Sequence, residues 1–320
     1  MTLGLCRDNF AHVRRSKKLY TYCAQVLNTT HDPVLLHETI NLLNPQPGNV
    51  VVDGTLGLGG HAQSLLERMA GAGRYYGFDL DKKNLESARD RLKKFDSQTI
   101  FFHSNFVHCQ HRLQALGVTR VDKILLDLGL SSPHIDDAER GFSVKSEGPL
   151  DMRFDRSTGE TAATIVNRWP EDDLKKIFYE YGEERYAPKI ARMIVERRKV
   201  QPFEMTSDLI ELIAEIMKNP RDKRQVATRI FQALRIAVND ELTVLQESLD
   251  SLLSLLAPGG RMVVISYHSL EDRMVKHTFR AAVQSEAFEL LTKKPVTPSL
   301  EEIETNSRCR SAKLRAIAKN

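Results

Sequence analysis

From residue 31 onward, apolar positions follow two alternating rhythms. Val50–Asp53, Arg74–Asp79, Thr99–His103 and Lys123–Asp127 are short runs of strand length. Between them, His61–Met69, Asn84–Phe95 and Phe106–Leu116 carry helical spacing, with Gly71, Gly73 and Gly117 as breakers. Such alternation predicts βαβ units on a parallel sheet buried on both faces. From about Asp137 to Gln225 the strand signal disappears. Helices are expected at Glu171–Tyr181 behind Pro170, at Arg185–Lys199, and at Ser207–Met217 with Ser207 as N-cap. A long helix, Thr228–Leu256, then leads to the Pro258-Gly259-Gly260 turn. After it come a strand at Arg261–Ser266, a helix from Leu270 and a last strand near Lys313–Ile317. The pattern is that of an α/β sheet interrupted by an all-helical insertion. Residues 31–136 and 226–320 form the sheet domain, 137–225 the insert, and 1–30 an N-terminal extension.

Composition narrows the class. The chain has 320 residues, 41% of them hydrophobic and 28% charged, enough for about two cored domains and too apolar for bulk disorder. No apolar run approaches the roughly 20 residues a membrane helix needs. The net charge of +4 resides in Met1–Thr30, where five basic residues face only Asp8; the rest carries 41 charges of each sign. That extension is not Ser-rich and lacks an apolar core, so a flexible basic arm or an over-long start fits it better than a targeting peptide. Cys6, Cys23, Cys109 and Cys309 form no CxxC, which suits a reducing, cytoplasmic setting. His108 and His111 hint at metal, but no complementary ligand set accompanies them; a solvated helix face accounts for both.

The most informative segment is Asp53–His61 (DGTLGLGGH), between the first strand and the first helix. Gly57, Gly59 and Gly60 permit a tight turn and close approach of a ligand. The second strand ends at Asp79, at the spacing where an acid accepts hydrogen bonds from ribose hydroxyls. A nucleoside-bearing cofactor at the C-terminal sheet edge follows. Ala62 stands where a dinucleotide fingerprint has its third glycine, and no P-loop pattern is present. The loop also opens with a carboxylate, Asp53, a poor neighbour for pyrophosphate and a good one for a cation. The ammonium and sulfonium of S-adenosylmethionine fit that electrostatics.

The loop, with His31–Leu36 (HDPVLL) before it, resembles the bacterial 16S ribosomal RNA cytosine-N4 methyltransferase family. The likeness continues through Asp127–Pro133 (DLGLSSP), Asp136–Ser143 (DDAERGFS), Gly148–Arg153 (GPLDMR), Tyr181–Arg185 (YGEER), Phe231–Arg235 (FQALR), Ser269–Arg273 (SLEDR) and Arg310–Arg315 (RSAKLR). The resemblance implies a Rossmann-like, S-adenosylmethionine-dependent methyltransferase sheet with an inserted helical domain. It implies cofactor contacts at Gly59, Gly60, His61, Asp79, Phe106 and Asp127, to which the residue reading adds Asp53 and Gly57. Phe106, after the third strand, is placed to stack on adenine. His134 stands where the family has glutamine; a neutral imidazole replaces one amide hydrogen bond, not a donor and an acceptor together.

The acceptor implied by the resemblance, cytosine N4, has its lone pair delocalised into the ring. Oxygen acceptors on its amino hydrogens would aim that lone pair at the methyl group and stabilise developing charge. Asp127 and the loop oxygens of Ser131 and Ser132 are the candidates. His268 is a candidate substrate contact, while Ser269 and Asp272 read as a capping box. Basic residues at Arg185, Lys189, Arg192 and Lys199, at Arg221, Lys223, Arg224 and Arg229, and at Arg308, Arg310, Lys313 and Arg315 form local clusters in an otherwise neutral chain. Together with Arg153 they are candidates for tracking phosphates of 16S rRNA, the implied substrate within the small ribosomal subunit. Two other classes share some of these features. A nicotinamide oxidoreductase would share the sheet and Asp79 but would want the missing glycine. A non-catalytic RNA-binding or ribosome-assembly protein would keep the basic clusters and would tolerate losing Asp79.

Overall fold

The structure, a computed structural model, describes residues 33–320; the basic extension, with Cys6 and Cys23, lies outside the described residues. After α1 (Leu36–Leu43) come β1 (Val50–Asp53), α2 (Gly60–Arg68), β2 (Arg74–Asp79), α3 (Lys82–Arg91), β3 (Thr99–His103), α4 (Cys109–Gln114) and β4 (Val121–Asp127). A short α5 (Ser132–Asp136) precedes α6 (Ala162–Arg168), α7 (Glu171–Glu180), α8 (Ala187–Arg197), α9 (Thr206–Ile216) and α10 (Pro220–Asn239). The chain closes with α11 (Glu241–Leu255), β5 (Leu256–Ser266), α12 (Ser269–Gln284), β6 (Phe288–Leu290), α13 (Leu300–Thr305) and β7 (Lys313–Lys319).

The seven strands form one sheet in the order β3-β2-β1-β4-β5-β7-β6. The first five pair in parallel and β7 runs antiparallel to β5. This is a Rossmann-like, doubly wound sheet, with right-handed crossovers expected of its parallel strands. Alternation along the strands sorts the core. Val51, Tyr75, Leu125 and Val263 face the cluster with α1, α2 and α3, whereas Val52, Tyr76, Leu126 and Val264 face the one with α4, α11 and α12. Burial on both sides is why these strands read as continuous apolar runs. A third apolar cluster, drawn from Phe142 to Leu234, joins α6 to α10; Phe178, Ile190 and Ile230 are fully buried in it. Between residues 137 and 225 there is no named strand, only an isolated bridge from Pro149 to Met205.

Strands β1, β2 and β3 begin and end where the hydrophobic pattern places them. Three expectations give way. The expected helix Thr228–Leu256 is two helices, because Asp240 takes a left-handed conformation (φ 50°, ψ 37°) and turns the chain between α10 and α11. The helix α9 begins one residue early, at Thr206, and Ser207 does not cap it; Oδ2 of Asp208 instead accepts from the backbone of Glu204 (2.9 Å) and Met205 (2.8 Å). The boundary placed at residue 225 falls inside α10, whose buried face continues to Leu234.

Candidate active site

Parallel strands deliver their C-terminal ends to one edge, and there Asp79 closes β2, Asp127 closes β4 and Tyr267 follows β5. A cavity opens between them. Its wall includes Gly54, Thr55, Gly57, Asp79, Asn84, Phe106, Asp127, Ser131, His134, Phe154, Asn239, Glu241, Tyr267 and Glu271. Four of its lining residues are carboxylates and none is lysine or arginine.

The glycine loop divides its work. Gly57 (φ 53°) lies in the wall, where an added Cβ would meet nothing nearer than 3.9 Å; its N–H donates to Oδ2 of Asp79 at 2.8 Å. Gly60 has a packing role, since a Cβ there would come within 2.5 Å of Pro33 Cγ. Gly59, Gly60, Asp53 and His61 do not line the cavity. Asp53 is 1% exposed, holding Thr55 N (3.0 Å) and the Tyr75 hydroxyl (2.7 Å), and burial pushes its carboxyl up to about 6. It therefore shapes the loop from beneath. His61 holds the Val34 carbonyl through Nε2 at 3.0 Å, which leaves Nδ1 without a proton, 3.6 Å from Oδ2 of Asp127.

Asp79 accepts from Gly57 N and, at 2.7 Å, from Asp81 N, and burial raises its pKa. Asn84, not singled out from sequence, reaches both Asp79 oxygens (3.4 and 3.5 Å) and Ser131 Oγ (3.3 Å). Ser131 and His134 lie in the wall, but Ser132, the first residue of α5, does not. His134 uses both nitrogens: Nδ1 accepts from Ser131 N (3.2 Å) and Nε2 donates to Oδ2 of Asp81 (2.9 Å). Its ring packs against both Phe142 and Phe154, with centroids 5.2 Å away in each case, and the two phenyl rings also stack on each other at 5.6 Å. Arg140 also pairs with Asp81 and carries the carbonyls of Arg153 and Phe154 on Nη2.

Asp127 is set for proton chemistry. Burial pushes it up to about 7, the Glu271 charge adds to the rise, and a 2.8 Å hydrogen bond from the Tyr267 hydroxyl opposes it. Glu271 is also buried, yet its contact with His268, the charge of Arg235 and the N–H of Tyr267 hold it below the usual carboxylate range. The capping box at α12 consists of His268 and Glu271, not Ser269 and Asp272. The helix starts at Ser269, so the cap falls one residue earlier; Ser269 bonds Glu183 and Asp272 pairs with Arg315 at 2.7 Å. Glu241, His268 and Glu271 bring one ligand atom each within 4.8 Å, the only such trio among the described residues. Arg235 already forks onto both oxygens of Glu241 (2.8 and 2.9 Å), and the Glu271 N–H points to His268 Nδ1, placing the proton on Nε2. Glu241 and Oε2 of Glu271 are thus already engaged by Arg235 and by the backbone N–H groups of Tyr267 and His268.

Arg153 and Arg310 lie outside the cavity wall. Arg153 forks onto Asp151 (2.8 and 2.9 Å), and Arg310 is exposed. Arg185, Lys189, Arg192, Lys199, Arg221, Arg224 and Arg229 are exposed and Lys223 is half-exposed, while Lys313 and Arg315 are tied to Asp272. Asn239, Glu241, Tyr267 and Phe154 join the wall unannounced by any motif. Asn239 accepts from Phe154 N and donates to the Met152 carbonyl, both at 2.8 Å. The signal for it was the Asn239-Asp240 pair, since both residue types tolerate the left-handed region that ends α10 there.

Residues 28–320 match the MraW methylase family. The chain is 47% identical over 290 residues to a ribosomal RNA small subunit methyltransferase H from Dictyoglomus thermophilum, covering 90% of this chain and 96% of that protein. It is 46% identical over 306 residues to the protein of the same name from Carboxydothermus hydrogenoformans (91% and 98% covered), and 44% identical over 307 residues to that from Streptococcus pyogenes (90% and 97% covered). The chain belongs to the MraW methylase family of S-adenosylmethionine-dependent methyltransferases.

Proposed function

We propose that the protein transfers a methyl group from S-adenosylmethionine to the exocyclic N4 of a cytidine in 16S rRNA, acting in the cytoplasm on the small ribosomal subunit. The observation that carries the reading is the charge of the cavity: four carboxylates and no lysine or arginine favour a cationic cofactor and oppose a pyrophosphate. Asp79 would hold the ribose hydroxyls, Phe106 the adenine, and the open backbone at Gly57 the methionine end, with His134 closing the wall. Asp53, Gly59, Gly60 and His61 support that cradle from behind. When bound, the cofactor supplies an already activated methyl group.

The chain's task is to present the amine. Asp127 accepts an N4 hydrogen through a carboxylate whose orientation is fixed by Tyr267, and its raised pKa suits it to take the proton N4 sheds. The Ser131/Ser132 loop fixes the approach, with Ser131 bonded to Asn84. The inserted helices α6 to α10, with Arg153, His268, Arg310 and the exposed basic residues of α8 and α10, meet the RNA. Turnover and cofactor affinity of Ser131→Ala, Ser132→Ala and the double variant test the loop; full activity in all three ends its part. Nucleoside mass spectrometry of small-subunit rRNA incubated with the protein tests the reaction itself.

A further inference from the structure

Within the cavity wall a closed circuit of hydrogen bonds joins the end of β2 to the loop after β4. Asp79 carries Gly57 N on Oδ2 (2.8 Å) and Asp81 N on Oδ1 (2.7 Å), two short bonds from fixed backbone donors. A carboxylate has about four lone-pair sites, so one on each oxygen remains. The buried Asn84 amide, on α3, straddles both oxygens from 3.4 and 3.5 Å, longer than an ordinary N–H···O bond. Its Nδ2 and Oδ1 also lie 3.3 Å from Ser131 Oγ. Ser131 Oγ is 3.1 Å from His134 Nδ1, and His134 Nε2 donates to Oδ2 of Asp81 (2.9 Å), which closes the circuit. Asp79, Asn84, Ser131 and His134 all line the cavity. The Ser131 hydroxyl thus has one proton and two acceptors, Asn84 Oδ1 and His134 Nδ1. Which of them it takes depends on whether Asn84 turns its N–H groups to Asp79 or to Ser131.

We infer that Asn84 is a positioning residue that links the ribose acceptor Asp79 to Ser131, so that the cofactor and the target nucleoside bind with positive coupling. The inference rests on the proposed reading of the cavity, in which Asp79 holds the ribose and the Ser131 loop meets the amine. Asp79, an ionisable acceptor, competes with Ser131 Oγ for the amide hydrogens of Asn84. Two ribose hydroxyls need the two sites that Asn84 now straddles. With those sites filled, the amide gives its N–H to Ser131 Oγ, and the serine proton goes to His134 Nδ1. That ring is itself held by Asp81, which Arg140 pairs from behind. An Oγ lone pair is then left with one fixed direction, as an acceptor for an amino hydrogen. Without the cofactor the hydroxyl keeps two directions, and the incoming nucleoside must select one. By linkage, the nucleoside tightens the cofactor by the same factor.

The test measures binding of the full chain to small ribosomal subunits lacking the modification, with and without saturating S-adenosylhomocysteine, which has no methyl group to transfer. The wild type is expected to bind the subunits about 5- to 10-fold more tightly with it, the scale of one ordered hydrogen bond. Asn84→Ala removes the link and Ser131→Ala its far end. Each is expected to bring the ratio within about two-fold of unity, and the double variant to do no more, because the two residues act as one chain. Affinity for S-adenosylhomocysteine alone, read by calorimetry, is expected to stay within about three-fold in both, and melting temperatures report folding. A merely structural role would lower the melting temperature or both affinities and leave the ratio unchanged. Should Asn84→Ala fail to fold, the ratio in Ser131→Ala decides. A wild-type ratio of unity, or a ratio retained in either folded variant, overturns the inference while leaving the proposed reaction standing. A wild type that binds no S-adenosylhomocysteine, or no subunits, contradicts the proposed function, and the inference falls with it.

Discussion

The hydroxyl of Tyr267 donates to Oδ1 of Asp127 across 2.8 Å, tying the residue after β5 to the last residue of β4. This bond is the main influence lowering the pKa of a carboxyl that burial has pushed up to about 7. Tyr267→Phe therefore raises it further and moves the acid limb of kcat to higher pH. Activity should fall about 10-fold near pH 7 and recover towards pH 9, as expected for losing a hydrogen bond to a charged group. An unshifted profile would show that Asp127 does not titrate during turnover.

The same carboxyl affects stability with a definite sign. Its folded pKa of about 7 lies above the model-peptide value of 3.8, so the folded state binds more protons between them and loses stability as pH rises through that window. Asp127→Asn removes the penalty. It should raise the melting temperature at pH 8 by about 2–5 °C while abolishing methyl transfer, and the gain should vanish near pH 4. Thermal denaturation across pH reads both.

Two glycines separate cradle from scaffold. Gly60→Ala forces a methyl against Pro33 and should cost about 1–3 kcal/mol of stability, with cofactor affinity within about two-fold once folded. Gly57→Ala has room for the methyl but not the φ of 53°, so it costs about 1 kcal/mol and weakens cofactor binding through the Gly57–Asp79 bond. Denaturant titration and calorimetry on both variants check the split.

Asp79→Ala distinguishes an enzyme from a binding protein that merely shares its fold. With the ribose acceptor gone and Gly57 N and Asp81 N unpaired, cofactor affinity should drop about 100-fold while the fold persists. A variant with normal cofactor affinity would remove Asp79 from the site; one that lost the cofactor but kept all cellular function would favour an assembly role.

The sheet was legible because its strands are buried on both faces and its turns are marked by glycine. The acids at its edge were legible for the same reason, each being the last residue of an apolar run. What stayed hidden depends on tertiary geometry. Nothing in the run from Thr228 to Leu256 marks its break except Asn239-Asp240, yet that corner brings Asn239 and Glu241 into the wall. Asp53, the last residue of β1, reads as a cofactor contact because a carboxylate opening the glycine loop suits a cationic ligand. Only Tyr75, one strand away, turns it into a buried support for the loop. His268 and Glu271 were visible as residues but not as a pair, since a one-residue shift in the start of α12 decides which of them caps it.

The most direct test incubates small ribosomal subunits lacking the modification with the full chain and isotopically labelled S-adenosylmethionine, then analyses the nucleosides of their 16S rRNA by mass spectrometry. The account predicts labelled N4-methylcytidine with the wild type and none with Asp127→Asn. Label in another nucleoside, or no label from a protein shown to bind the cofactor, would contradict it.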